Sequence, residues 1–169
     1  EEYVPAFYVN ERASADERLT DYEKYIASCE ELGVANIQDA LDRMIVCDDI
    51  IANYDRHWRN FGLVRNVNTL ACRPAPIFDS GSSLWCNVSL EALEAGEHSF
   101  TSTQFHSSPA KQMLLVEDMS WFDGDKLEGF VDEAIEILSG NEALASRLPF
   151  IREALSWRVR RMVDIAEWN

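Results

Sequence analysis

Apolar residues recur every three or four positions in several stretches of the chain, and this spacing predicts a mainly helical fold. The first stretch runs from Leu19 to Leu32. Ser14-Ala15-Asp16-Glu17 before it fits a capping box, in which a hydroxyl and a carboxylate satisfy free amides at a helix N-terminus. Gly33 follows the stretch, and glycine commonly ends helices. We therefore expect an amphipathic helix here.

The second stretch is more apolar and predicts a helix in the middle of the core. It begins after Asn36, a residue that favours the N-cap position, and it continues to Ile51. Between residues 44 and 52, apolar side chains occupy nearly all sides of the helix. Asp48 and Asp49 interrupt this run. Because a buried carboxylate is costly unless it is paired, each of them should have a partner.

The middle of the chain changes character and predicts a small β element. Residues 61–65 and 70–75 are short extended candidates on either side of Asn66-Val67-Asn68-Thr69, an arrangement typical of a hairpin. Residues 96–108 are rich in serine, threonine and histidine and show no periodicity, which predicts an exposed, mobile loop.

Helical patterns return after this loop. Ser108 and Pro109 stand where an N-cap and a first helical residue belong. Asp125-Lys126-Leu127-Glu128 repeats the capping-box pattern, and Pro149 opens the last helical stretch. With no internal repeat, the chain should form one mainly α domain. The two longest of these later helices should bury the stripes Leu127, Phe130, Val131, Ala134, Ile135 and Leu138, and Ile151, Leu155, Val159, Met162 and Ala166.

Composition and charge narrow the classes of function. The chain has 169 residues, of which 47% are hydrophobic, enough for one globular domain. Its 15 basic and 30 acidic residues give a net charge of −15, which argues against direct nucleic-acid binding, because neutralising phosphates requires a basic surface. No apolar run approaches the roughly 20 residues of a membrane helix, and no signal peptide is recognisable. We expect a cytoplasmic protein that does not bind membranes.

Local patterns of charge and of cysteine indicate structural roles. The four cysteines have no CxxC spacing, so free thiols are expected, and the three histidines give no zinc-site spacing. A group of arginines near the C-terminus is interpreted as a solvated helix face, with contact to a polyanion as the alternative. Its members are Arg147, Arg152, Arg158, Arg160 and Arg161.

The residues with catalytic character lie between the buried helix and the hairpin. They belong to Asn53-Tyr54-Asp55-Arg56-His57-Trp58-Arg59-Asn60-Phe61-Gly62, in which Asp55 and Asn60 form a D-x-x-x-x-N pattern. Asp79 follows the hairpin in Pro76-Ile77-Phe78-Asp79-Ser80-Gly81. Phosphoryl transfer needs a carboxylate to accept a hydroxyl proton and hard oxygen ligands for Mg²⁺. These three side chains supply such oxygens in the chain order that protein kinases use.

This combination resembles the catalytic region of the HipA-like serine/threonine kinases, bacterial toxin-type kinases with a protein-kinase-like fold. The resemblance covers about residues 44–84, and the flanking helices fit the helical lobe of that family. It implies that Asp55 is the catalytic base and that His57 organises the catalytic loop. On the cofactor side, Asn53 would hold the loop backbone, while Asn60 and Asp79 would be the ligands of Mg²⁺ that accompanies ATP.

The chain lacks the other half of a kinase nucleotide site. None of its seven glycines forms a phosphate-binding loop, and none of Lys24, Lys111 and Lys126 stands in the strand setting of a nucleotide-binding lysine. We therefore expect only the C-terminal lobe of a kinase, with residues 14–169 as the helical lobe and residues 1–13 as a remnant of the interlobe linker. By itself this fragment should be inactive.

Other interpretations of the same residues stay open. Asp55 with Asn60 could form an Asx-type turn that caps a helix, and Asp79 could be a turn carboxylate. Arg56 and Arg59 could be ion-paired supports or phosphate contacts. The whole lobe could be a non-catalytic module that binds an antitoxin-like protein or a DNA-recombination factor, and a small-molecule or lipid kinase would have the same residue order.

The kinase hypothesis also names partners. They are ATP and a protein substrate with a serine or threonine hydroxyl, and a toxin-type kinase would add an antitoxin-like protein. A lobe without its N-terminal partner would expose apolar side chains near Tyr3 to Tyr8 and beside Asp79. Such a patch should drive association of the chain with itself.

Overall fold

Within residues 1–11 and 17–168, which the computed structural model describes, there are three short β-strands and seven α-helices. Single 3-10 turns lie at Gly124–Leu127 and Glu142–Leu144. The predicted mainly α class agrees with this architecture. The strands are β1 (Glu2–Pro5), β2 (Gly62–Arg65) and β3 (Cys72–Pro74). The helices are α1 (Ala6–Asn10), α2 (Asp21–Glu31), α3 (Ile37–Ile51), α4 (Leu90–Glu94), α5 (Pro109–Met113), α6 (Phe130–Ser139) and α7 (Leu148–Trp168).

The three strands form one antiparallel sheet with β2 in the centre. β2 and β3 are the predicted hairpin, and β1 adds a third strand in which Glu2 pairs with Arg65 and Pro5 with Gly62. A Cβ at Gly62 would lie 2.2 Å from the carbonyl oxygen of Val4, so only glycine allows β1 to approach this closely. β1 is missing from the sequence prediction, because four residues ending in proline show too little alternation. The origin of residues 1–13 as a linker remnant stays a prediction.

The core consists of two clusters of buried side chains, and α3 contributes to both of them, as its all-round apolar sequence predicts. Met113 and Val116 pack against both clusters. The first joins α3 to α1, α2 and the sheet through residues that include Val9, Tyr25, Leu41, Met44, Ile45 and Leu63. The second joins α3 to α7 through residues that include Val46, Ile50, Trp85, Leu155 and Met162.

Two of the early helix starts differ in detail from their predictions. Ser14, Ala15 and Asp16 of the first predicted capping box lie outside the described residues. α2 begins at Asp21, where Glu23 N–H donates to Thr20 Oγ1 over 3.3 Å and Thr20 N–H donates to Glu23 Oε2 over 2.7 Å. Asn36 precedes α3 as predicted, but its backbone is left-handed and its side chain makes no capping hydrogen bond.

The capping box predicted at Asp125–Glu128 is wrong. The chain there forms a 3-10 turn capped by Asp123, and α6 begins only at Phe130. Gly129 precedes α6 with a φ of 78°, a conformation that glycine adopts without steric cost. The Asp125–Glu128 pattern therefore corresponds to a 3-10 turn that precedes α6, and not to the start of that helix. α5 and α7 begin within one residue of their predicted positions. None of the helices in the described ranges combines the length and apolar character needed to cross a membrane.

Residues 96–108 have no regular secondary structure, as predicted, but the loop is not uniformly exposed. The side chains of Ser102 and Gln104 are buried. Ser102 Oγ donates to the carbonyl oxygen of His106, and the Phe105 ring lies edge-on to Trp58, with ring centroids 5.3 Å apart. The prediction of exposure was wrong for these two residues, because Ser102 Oγ and Gln104 Oε1 make hydrogen bonds within the loop, and the rest of the loop is exposed or half-buried.

Candidate functional site

The segment from residue 53 to residue 60 connects the end of α3 to β2, and two asparagines hold its backbone. Asn53 Nδ2 donates to Asp48 Oδ1 over 2.9 Å, and Asn53 Oδ1 accepts from the Asp55 N–H over 3.1 Å. Asn60 Nδ2 donates to the carbonyl oxygen of Asp55 over 2.9 Å. Ala52 turns the chain out of α3 with a φ of 53°. Both ends of the Asp55–Asn60 loop are therefore fixed by side chains.

Asp55 and His57, the two residues to which the resemblance gives catalytic or loop-organising roles, have different surroundings. Asp55 is half-buried, and its carboxylate forms no hydrogen bond or ion pair within the described part of the chain. His57 is exposed, and its Nδ1 accepts from the Arg59 N–H over 3.2 Å. The carbonyl oxygen of His57 accepts from the Asn60 N–H over 2.8 Å. His57 thus belongs to the turn that returns the chain to Asn60, while the Asp55 carboxylate has no partner among the described residues.

Arg56 joins this loop to the segment that follows the hairpin. Its Nε and Nη2 donate to the two carboxylate oxygens of Asp48, over 2.9 Å each. Nη1 donates to the carbonyl oxygen of Asn60 over 2.8 Å and to that of Phe78. Nη2 also donates to Ser80 Oγ over 3.1 Å. The side chain is 0% exposed, and these bonds use all five N–H donors of a guanidinium. Arg56 is therefore an ion-paired support, and it has no donor left for a phosphate.

Asp79 lies in the segment that Arg56 reaches. Its φ is 54°, in the left-handed region that few residues other than glycine adopt, and its side chain is exposed. The Phe78 ring lies edge-on to Tyr3 of β1, with centroids 5.1 Å apart. The Tyr3 hydroxyl is 2.8 Å from the carbonyl oxygen of Phe61 and 3.0 Å from that of Arg59. β1 therefore contacts both the Asp55–Asn60 loop and the segment that carries Asp79.

The groups that could hold Mg²⁺ come from these two segments. Among the residues that the structure describes, no three His, Cys, Asp or Glu side chains are grouped for metal binding. The Asp79 carboxylate has no protein partner in that part of the chain. Asn60 Nδ2 is engaged with the backbone, which leaves Oδ1 as the amide atom for a cation. Two oxygen ligands fit Mg²⁺, which usually takes one or two protein groups and completes its shell with water and phosphate oxygens.

The cavities beside this site differ in size and position. The one that Arg56 and Asn60 line has a volume of about 30 Å³, far below the roughly 300–1,000 Å³ of small-molecule pockets. A groove of about 560 Å³ runs along β1. Tyr3, Tyr8 and Phe78 are exposed at this end of the molecule, as the hypothesis of a bare lobe face requires. The self-association that such a face should cause stays a prediction.

Asp49, the neighbour of Asp48, pairs with α7. Arg161 Nη1 donates to Asp49 Oδ2 over 2.6 Å, and Arg158 Nη1 donates to the Asp49 carbonyl oxygen over 2.7 Å. Burial lowers the pKa of the Arg158 guanidinium, while the Asp49 carboxylate opposes that shift. The prediction that both aspartates need partners is therefore confirmed. The interpretation of the C-terminal arginines as a solvated face is wrong for Arg158, which is 6% exposed.

Comparison with known proteins bears on the fold and on the middle of the chain. A crystal structure of a Helicobacter pylori proinflammatory kinase, CtkA, is similar with a TM-score of 0.62 and 15% sequence identity, covering 98% of this chain and 70% of that one. The chain has a kinase-like fold. In sequence, it is 45% identical over 42 residues to the serine/threonine-protein kinase CtkA of Helicobacter pylori. That match spans 25% of this chain and 13% of the kinase. No protein-family profile matches the chain.

Sequence alone assigns no role at the site to Tyr3 and leaves two roles open for Arg56. Tyr3 could not be assigned because β1 itself is not recognisable. The pairing of Arg56 with Asp48 could have been predicted from the sequence, because Asp48 lies in an apolar run and needs a cationic partner. Arg56 is eight residues away along the chain. The contacts of Arg56 with Phe78 and Ser80 could not be predicted from the sequence, because the whole hairpin lies between these residues along the chain.

Proposed function

We propose that this chain is the catalytic-loop lobe of a HipA-like serine/threonine protein kinase, which transfers the γ-phosphoryl group of ATP to a hydroxyl of a protein. The observation that carries the proposal is the arrangement around Arg56. This arginine binds both the Asp55–Asn60 loop and the segment of Asp79, while the carboxylates of Asp55 and Asp79 have no partner among the residues that the structure describes. The kinase-like fold and the short match to a serine/threonine kinase support it.

The proposal gives each side chain a defined task. Asp55 accepts the proton of the attacking hydroxyl, because its carboxylate is unengaged and held at the start of the loop. Asn60 Oδ1 and the Asp79 carboxylate hold the metal ion. Mg²⁺, when bound, offsets the negative charge of the phosphate oxygens. His57 shapes the turn between Asp55 and Asn60, and Asn53 holds the loop against α3.

Nucleotide binding in this proposal needs groups that the chain does not contain. It has no glycine-rich phosphate loop and no lysine in a strand setting. The CtkA structure extends beyond the 70% that the chain covers. Positioning of the donor contributes on the order of 7–11 kcal/mol to barrier reduction in favourable cases. We therefore expect this chain alone to bind ATP poorly and to transfer no phosphate.

Transfer of labelled γ-phosphate to protein serine or threonine tests the proposal. It is measured with this chain and with the natural protein at its full length. Asp55→Ala should lower transfer by the full-length protein by about 10²–10⁴-fold, the usual contribution of a general base. Asp79→Ala should abolish it through loss of a metal ligand. Asp39→Ala, which removes an exposed carboxylate on α3, is the control and should keep full activity.

Two outcomes would contradict the proposal. Wild-type transfer by the folded Asp55→Ala protein would show that another group is the base. No transfer by the full-length wild-type protein, with acceptor proteins from several sources, would favour a non-catalytic module that keeps the kinase-like fold for contact with a partner.

A further inference from the structure

We infer that Arg56 is a positioning residue that holds the backbone of Asp79 in its left-handed conformation and so sets the placement of Asp79 relative to Asn60. Its effect on metal binding rests on the proposed function of the site, whereas its effect on the Asp79 backbone does not.

The residues on either side of Asp79 hold its backbone in place. A residue other than glycine keeps a left-handed backbone only where the surrounding contacts determine it. The Asp79 side chain makes no such contact with the described residues. Its neighbours do: the carbonyl oxygen of Phe78 and Oγ of Ser80 both accept from the Arg56 guanidinium. One planar group therefore fixes the chain immediately before and after Asp79, whose φ is 54°.

Arg56 also binds the backbone of Asn60, the other proposed metal ligand. The Arg56 nitrogen that donates to Phe78, Nη1, also donates to the carbonyl oxygen of Asn60, over 2.8 Å. The backbones of Asn60 and of the residue before Asp79 are thus bound to a single atom. A displacement of either segment breaks a hydrogen bond from a guanidinium that is itself 0% exposed.

The guanidinium of Arg56 has a fixed orientation. Asp48 accepts from Nε and Nη2 over 2.9 Å each, which fixes the plane of the group as well as its position. Asp48 lies in the last turn of α3 and is 4% exposed. A lysine could balance its charge, but a single ammonium cannot reach Asn60, Phe78 and Ser80 from a fixed plane. Shape, and not charge alone, therefore determines the role of Arg56.

The experiment uses this chain and Mn²⁺ as the metal probe. NMR records the amide shifts of residues 78–80 without metal, and then the paramagnetic broadening of the Asn60 and Asp79 amides as Mn²⁺ is added. The variants are Arg56→Lys and the milder Ser80→Ala, which removes one acceptor from the guanidinium. The matched controls are Arg59→Lys, an exposed arginine of the same loop, and Ser82→Ala, a serine of the same segment. Thermal unfolding of each protein gives its folded fraction.

We expect Arg56→Lys to shift the amides of residues 78–80 and to raise the Mn²⁺ midpoint by about 10- to 100-fold, as loss of a group supporting metal ligands usually does. Ser80→Ala should shift the same amides and raise the midpoint by about fivefold, the equivalent of one hydrogen bond. Both controls should match the wild-type protein. A purely structural role would lower thermal stability without moving the midpoint of the folded protein.

Unchanged Asp79 shifts and a wild-type Mn²⁺ midpoint in folded Arg56→Lys or Ser80→Ala would overturn the inference. If Arg56→Lys does not fold, Ser80→Ala decides the question against Ser82→Ala. The two proposals fail in different ways. Absence of Mn²⁺ broadening at Asn60 and Asp79 in the wild-type protein would contradict the proposed metal site, while the amide shifts would still decide the role of Arg56.

Discussion

The ion pair between Asp49 and α7 leads to a large and specific prediction about stability. Asp49→Ala removes a carboxylate that is 4% exposed and that lies 2.6 Å from Arg161 Nη1 and 3.5 Å from Arg158 Nη1. Arg158, whose side chain is 7% exposed, would keep only carbonyl acceptors. Removal of one partner from a buried ion pair costs about 3–5 kcal/mol, because the remaining charge stays buried without its counterion.

Asp39→Ala is a matched control on the same helix. Asp39 pairs with Arg43 over 3.0 Å, but the two side chains are 47% and 44% exposed. Such an exposed pair, one helical turn apart, contributes about 0.3–0.5 kcal/mol. Both variants replace an aspartate of α3 by alanine, so the change in intrinsic helix propensity is similar. Asp39 lies in the first turn and Asp49 in the last, so the helix dipole adds about 0.3–1 kcal/mol to the cost of Asp39→Ala and acts in the opposite sense on Asp49→Ala. The expected difference between the two variants is therefore about 2–4 kcal/mol, a large part of the roughly 5–15 kcal/mol that stabilises a typical domain.

Urea unfolding followed by far-UV circular dichroism and by tryptophan fluorescence measures this difference. Similar m-values in the three proteins would show that the variants alter stability and not the cooperativity of unfolding. Free energies of unfolding for Asp49→Ala and Asp39→Ala that agree within about 1 kcal/mol would refute the reasoning, because they would mean that Arg158 finds equal compensation without Asp49.

Three further predictions follow from other parts of the fold. Gly62→Ala should destabilise the protein by about 3 kcal/mol or more in urea unfolding, because the new Cβ would lie 2.2 Å from a carbonyl oxygen of β1; Gly81→Ala, with open space around it, should not, and equal effects would contradict this packing. Cys86 is exposed, whereas burial raises the pKa of Cys29 to about 12, so a thiol reagent should label Cys86 in the native protein and Cys29 only after unfolding. Burial raises the pKa of Tyr22 to about 12. Because the unfolded chain ionises first, the wild-type protein should lose up to about 2–3 kcal/mol more stability between pH 10 and 12 than Tyr22→Phe does, and parallel pH profiles would argue against this.

The sequence by itself determined the features that depend on neighbouring residues. The period of apolar side chains predicted α2, α3 and α7, and the turn residues between two extended stretches predicted the hairpin of β2 and β3. The motif around Asp55 and Asn60 marked the loop between α3 and β2. The two aspartates in the apolar run of α3 indicated that partners would be needed. Each of these patterns lies within, or directly beside, the element that it predicts.

Only the tertiary structure decided which distant groups meet. β1 is a strand because it pairs with β2, about 60 residues later in the chain. Arg158 is buried because Asp49, 109 residues earlier, accepts its hydrogen bond. Arg56 reaches Phe78 and Ser80 only after the hairpin has folded back on the loop. Such pairings depend on the summed packing of many elements, and no short pattern records them. The contact of Arg56 with the carbonyl oxygens of both Asn60 and Phe78 is of this kind.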